Sequence, residues 1–334
     1  MRVALVVSAT VVALAVVFGA NQASHASPSS QAGGRGVAVE AGSVSTGFAT
    51  DLRPVAGYPP GCSTGVNVRP GVFPTSVGVV RSEDGKQWTV PAPVSEGPMA
   101  VDVYNDCTGP GDNPNYASQL KTVVVDEDGV EITGFIHADN YFELYVNGRF
   151  IARDSIAMTP FNTSVVRFKA KYPMTYAMMG VDWETHLGAG MEYDIFQIGD
   201  AGMIAYFSDG NGTHTDWRAD TFYIAPLDDP ACVRVTAAGR DSSFCSQSVR
   251  PTCAMKPETC KALHFAIPDG WTSARFNDAR WPLAIFWRPV EVTNQVSYTK
   301  YAQLFRDAEF IWTRNLHLDN LVLARYTAKG PRKK

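Results

Sequence analysis

The chain has 334 residues, of which 45% are hydrophobic and 11% aromatic, with 28 Gly and 21 Pro, a balance that excludes a disordered or fibrous protein and suits a globular β-rich one. A formal net charge of −4 supplies no basic field, which argues against nucleic acid as the partner. Six cysteines, an even number, point to disulfides and an oxidising compartment.

In chain order, Met1-Arg2, the apolar run Val3 to Phe18 and small residues at Ala20, Ala23 and Ala26 are the three parts of a secretory signal peptide, placed at 1–26. The run is short for a bilayer-spanning helix of about 20 residues. No later stretch is long and apolar enough, so the mature chain is expected to be extracellular without a membrane span. Residues 27–50, small and polar, read as a flexible leader. Over 51–120 Pro and Gly recur every few residues, which predicts a loop-rich β region with a few edge strands. The main β-sandwich is expected over 121–328, ahead of a basic tail at 329–334.

Thr122 to Val125 and Val130 to His137 read as strands around the turn Asp126-Glu127-Asp128-Gly129. Those carboxylates are the hard donors a structural calcium takes, but they lack EF-hand spacing, and an acidic turn accounts for them. In Tyr141 to Ile151, Phe142, Leu144 and Val146 share one face, and Asn147-Gly148 suits a type I′ hairpin. Val166, Phe168 and Ala170 alternate with Arg167, Lys169 and Lys171, a half-buried strand. Tyr176 to Val181 and Met203 to Phe207 are continuous apolar runs, hence buried strands, and Ser208 to Gly212 is a turn. Tyr301, Leu304, Phe305 and Ala308 share the face of one short helix. Leu321 to Leu323 belongs to a closing strand that returns to the sheet. The pattern is an all-β sandwich or jelly roll.

Cys232, Cys245, Cys253 and Cys260 crowd into one segment without the two-residue spacings of zinc sites, so two local bridges are expected to staple a loop at 232–260. Cys62 and Cys107 remain as the other pair, though spacing alone does not order the connectivity. The sequons at Asn162 and Asn211 would be surface sites in a glycosylating host.

Three segments recur in a telling order. Ala138-Asp139-Asn140-Tyr141-Phe142-Glu143-Leu144-Tyr145-Val146-Asn147-Gly148 comes first. Ile204 to Gly210 with Thr215-Asp216-Trp217-Arg218 follows, then Gly270-Trp271 and Ala274 to Pro282. This series resembles the galactose-binding-like jelly-roll modules attached to glycoside hydrolases, especially those preceding the catalytic part of bacterial rhamnosidases. It covers about residues 129–287. The pattern departs where Asp139-Asn140 stands in place of two aspartates and where Asn277-Asp278-Ala279-Arg280 replaces an acidic turn. The resemblance implies the fold and a sugar-related context, with Trp217 and Trp271 as packing residues.

Sugar recognition combines an aromatic face with convergent carboxylates and amides. Trp183, Glu184 and His186 stand together before a Gly-rich loop and are the first candidate; Asp139, Asn140 and Glu143 are the second. No nucleophile elbow, H-E-x-x-H or Cys–His signature is present, so no catalytic residue, metal site or cofactor is assigned. The expected function is non-catalytic binding of a glycan or cell-surface polymer. The alternatives are a glycoside-active hydrolase with an unrecognised carboxylate pair and a structural or adhesive extracellular protein.

Overall fold

The computed structural model describes residues 41–55, 76–106, 111–156, 161–192, 196–293 and 295–332, and over them the chain forms nineteen strands. The first are β1 (Ser43–Thr46), β2 (Thr50–Pro54), β3 (Ser76–Arg81), β4 (Gln87–Val90) and β5 (Val101–Asn105). The middle contributes β6 (Thr122–Val124), β7 (Val130–Asp139), β8 (Tyr141–Val146), β9 (Arg149–Arg153), β10 (Asn162–Ala170), β11 (Met174–Val181), β12 (Gly202–Phe207) and β13 (Arg218–Leu227). The remainder are β14 (Arg234–Thr236), β15 (Gly239–Asp241), β16 (Lys261–His264), β17 (Ile285–Trp287), β18 (Phe310–Trp312) and β19 (Asp319–Ala328). The signal-peptide segment, Cys62 and Cys107 lie outside the described residues.

One sheet runs β1-β16-β13-β19-β11-β8-β9, every pair antiparallel. The second runs β17-β18-β12-β7-β10-β5, with β6 added parallel to β10. They pack face to face. Tyr176 of β11 stacks on Phe207 of β12 at 4.4 Å, and a Cβ on Gly180 of β11 would meet Trp312 of β18 at 2.5 Å. Only a residue without a side chain lets that indole approach the sheet.

Alternation explains the long apolar runs. In β8, β11 and β19 one set of residues (Phe142, Leu144, Met178, Val322, Ala324) enters the core between the sheets. The other set (Tyr141, Met179, Val181, Leu321, Leu323) enters a second core on the outer face. There it meets Val77, Val80 and Val90 of the small β2-β3-β4 sheet. A strand buried on both faces reads as a continuous apolar run.

The hairpin expected at Asn147-Gly148 forms, both residues at positive φ (50° and 85°), as a type I′ turn requires. The acidic turn is tied down internally: Asp126 accepts from the Lys171 N–H at 2.9 Å and Asp128 pairs with the Lys171 ammonium at 2.5 Å. Disulfides join Cys232 to Cys245 and Cys253 to Cys260, the two local bridges expected of the 232–260 loop.

The three ordered segments touch one another. Tyr145 meets Trp271 at 5.3 Å, Arg218 donates to the Trp281 carbonyl at 2.7 Å, and Trp217, fully buried, donates to Gly212 at 2.8 Å. Arg325 of β19 underpins the third: its guanidinium reaches the Trp271 carbonyl, the Ser273 carbonyl at 3.0 Å and the Asp278 carboxylate at 2.9 Å.

Several expectations are corrected. The leader does not extend to residue 50, since β1 is an edge strand paired with β16. Its inward residues are Ser43 and Ser45, whose hydroxyls bond to Asp84 and His264 at 2.8 and 2.7 Å, so no apolar alternation marks it. No boundary falls at 120, because β5 pairs with β10 inside the second sheet. The helical spacing around Tyr301 is met by two short helices rather than one, an α-helix at Val296–Thr299 and a 3₁₀ helix at Ala302–Leu304, with Arg306 at positive φ beyond them. Neither sequon is at the surface. Asn162 donates to Asp102 and Asp154, both at 2.8 Å, and Asn211 donates to Asp209 at 2.7 Å, each from a buried side chain. The tail from Lys329 is partly docked: the Arg332 N–H donates to Asp209 and Gly330 accepts from Asn211.

Candidate functional site: an acidic end of the sandwich

At one end the chain crosses between the sheets in four places: Asp139 to Tyr141, Arg153 to Asn162, Val181 to Gly202, and Trp312 to Asp319. Five carboxylates of the Asp139–Tyr141 and Val181–Gly202 crossings form one interacting group. Asp139 ends β7, Asp182 and Glu184 follow β11, and Glu192 and Asp200 precede β12. Asp139, Asp182 and Glu184 are buried, Glu192 is half-buried and Asp200 is exposed, so the group descends from an open mouth inward.

The loop after β11 is shaped by Glu184. One of its oxygens accepts from the Gly188 and Gly190 N–H groups at 2.8 and 2.9 Å, the other from the Asn320 amide at 3.0 Å. Both glycines have positive φ, which lets the loop fold back onto that carboxylate. Gly199 backs the mouth: a Cβ there would lie 2.8 Å from Glu192 Oε1 and 3.1 Å from Asp182 Oδ2, so the two carboxylates flank one point. His317 donates from Nδ1 to the Gly199 carbonyl at 2.8 Å and fixes the same turn.

The acids repel one another in a poorly hydrated place. Burial raises Asp182 well above the usual carboxylate range, followed by the charges of Glu192, Asp139, Asp200 and Glu184. Asp139 is raised in the same way, by burial and then by Asp200 and Glu192. Glu192 is pushed up to about 8 by burial, then by Asp200 and Glu184. Glu184 is raised to about 7 by burial against the hydrogen bonds it accepts, and Asp200 to about 6 by desolvation against His317. Among the described residues none of the five pairs with a Lys or Arg, and no group of three or more His, Cys, Asp or Glu is placed to hold a metal ion. Within and beside this group two buried acceptors have no donor, Asp182 Oδ1 and Asn320 Oδ1, on residues 3% and 2% exposed.

Of the residues expected to bind, Asp139 and Glu184 fall in this cluster. Trp183 turns into the outer core, 2% exposed, and donates to the Ser76 carbonyl at 3.0 Å, so it offers no face to a ligand. His186 is buried against Phe196 at 4.3 Å. Asn140 is buried too and accepts from the Trp183 N–H at 2.5 Å. Glu143 is occupied elsewhere. It accepts from the Ser95 N–H and hydroxyl at 2.6 and 2.8 Å and from the Tyr141 and Tyr145 hydroxyls at 2.9 and 2.6 Å. Glu143→Ala is therefore expected to cost about 2–4 kcal/mol by stranding those donors, read as a lower midpoint in urea. An unchanged midpoint would remove Glu143 as the anchor of residue 95 to β8.

Asp182, Glu192, Asp200 and Asn320 were missed by sequence reasoning. Asp182 beside the chosen Glu184 was the one available signal; Glu192 and Asp200 carry no local pattern. Concavities lie elsewhere, among them an apolar groove of about 630 Å³ at Met99, Leu120 and Ile151 and an aromatic pocket of about 240 Å³ at Trp88, Tyr223 and His264.

The fold and this end define the class: an all-β sandwich, disulfide-stapled, with an acidic opening where the sheets exchange chain. Comparison with family models, curated proteins and solved structures found no match for it. Among the described residues no helix is long and apolar enough to cross a membrane.

Proposed function

We propose that this protein is an extracellular glycan-binding β-sandwich and that the acidic end is its binding site. The observation that carries the reading is the surplus of acceptors there. Asp182 Oδ1 and Asn320 Oδ1 are buried without donors, beside four further carboxylates that no Lys or Arg neutralises. Buried acceptors are costly until a donor reaches them. A neutral polyhydroxylated ligand brings O–H donors without adding charge, whereas phosphates and acidic polymers are repelled. The two disulfides suit an oxidising compartment, and the resemblance of the three ordered segments to sugar-associated modules points to the same ligand class.

A glycan array spanning plant, microbial and host sugars tests this. Binding is expected, and Asp200→Ala and Asp182→Asn should each weaken it tenfold or more, about 1.4 kcal/mol. No retained glycan, or affinity unchanged in both variants, refutes the assignment.

A further inference from the structure

We propose that the apolar groove of about 630 Å³ binds a free fatty acid, its chain against the aliphatic walls and its carboxylate on Lys121 and Arg167. The inference is independent of the glycan reading above. The groove arises from the way one sheet edge is covered. On one side β10 pairs with β7 without a break, from Ser164 to Ala170. On the other side two strands share it: β5 pairs with Asn162 to Val165 and β6 with Arg167 to Lys169. Val166 lies between them with no strand partner on that side. The groove opens at this gap, lined by Val166 itself, by Ile151 of β9 from the facing sheet, and by Met99, Leu120 and Val123.

The lining sets the chemistry of the occupant. Its polar side chains are Gln119, Lys121 and Arg167, and no carboxylate lines it, although the chain as a whole carries a net charge of −4. Lys121 is exposed and, among the described residues, makes no ion pair. The Nε–H of Arg167 is buried without an acceptor, because Glu131, its ion-pair partner, stands 3.9 Å away, too far for a hydrogen bond. A carboxylate is the acceptor that a guanidinium takes best. A neutral alkane would leave that donor unsatisfied, and a sugar would set its hydroxyls against aliphatic walls. Met99, 49% exposed at the groove, presents the adaptable thioether surface that suits chains of varied length. The volume lies within the range of about 300–1,000 Å³ usual for small-molecule sites.

The test is isothermal titration calorimetry of the protein with octanoate, decanoate and dodecanoate below their micellar concentrations, and with decanol. One site is expected, with each added methylene tightening binding roughly fourfold and decanoate binding about tenfold or more tighter than decanol. Lys121→Glu should weaken decanoate about tenfold and leave decanol unchanged, whereas Met99→Asp should weaken both. Neither side chain belongs to the buried core, so a thermal midpoint equal to that of the parent certifies the fold of each variant. Affinity indifferent to chain length, decanol binding as tightly as decanoate, or no binding of any of the four overturns the assignment. Retention on phosphatidylglycerol vesicles without binding of the free acids gives the groove to a membrane surface instead, and overturns it as well.

Discussion

The thermal midpoint of this protein is expected to fall by about 5–10 °C between pH 5 and pH 8, the reverse of a domain held by surface ion pairs. Glu184 sits at about 7 and Glu192 at about 8 in the folded chain, against an ordinary 4.5, and Asp200 and Asp319 at about 6 and 7 against 3.8. A group raised on folding stabilises fully below its unfolded value, and that contribution is lost as pH rises through the folded one. The window of loss is therefore pH 4 to 8. For the buried Glu184 alone the linkage is roughly 3 kcal/mol.

Three histidines act in the opposite sense. Burial lowers His137 to about 4, His264 to about 3 and His214 in the same direction, so their contribution is present above pH 6.5 and lost as pH falls through the folded values. With Asp139 and Asp182 raised as well, the carboxylates outnumber the three imidazoles between pH 5 and 6.5, and above 6.5 the carboxylates act alone. The maximum should stand at about pH 5. Calorimetry at pH 5, 6.5 and 8 in one salt concentration measures it. A midpoint that is flat or rises with pH contradicts the burial of these acids.

The second large effect is at Arg325. Its side chain is 2% exposed and holds two carbonyls and the Asp278 carboxylate of the segment between Trp271 and Trp281. Arg325→Met keeps the aliphatic stem and strands those acceptors, an expected loss of about 3 kcal/mol. Hydrogen exchange should quicken at the Phe276 and Trp281 amides, which bond only to carbonyls of the same turn, and stay slow in β7 and β12. A uniform loss of protection over both sheets would show that Arg325 supports the whole sandwich rather than this turn.

These effects separate what local pattern conveys from what it does not. Asn147-Gly148 declared its hairpin because positive φ is a property of two residues, β10 declared itself by the period of two of a half-buried strand, and β11 and β12 by the continuous apolar runs of strands buried on both faces. β1 stayed hidden, because its inward side chains are serines that bond to His264 and Asp84, partners distant in sequence. Trp183 misled for a related reason: a tryptophan beside two polar residues has the composition of a binding loop, yet the Ser76 carbonyl and the outer core claim it.

By itself, the sequence determined the β class, the main strands, the principal hairpin and the two local disulfides, since each follows from neighbours along the chain. Only the tertiary structure decided that the sheets exchange chain repeatedly at one end, and so that Asp139, Asp182, Glu184, Glu192 and Asp200 gather there. Carboxylates sixty residues apart carry no periodicity that foretells their meeting. Their shared trait, acceptors in excess of donors, comes into being only when folding removes water from around them.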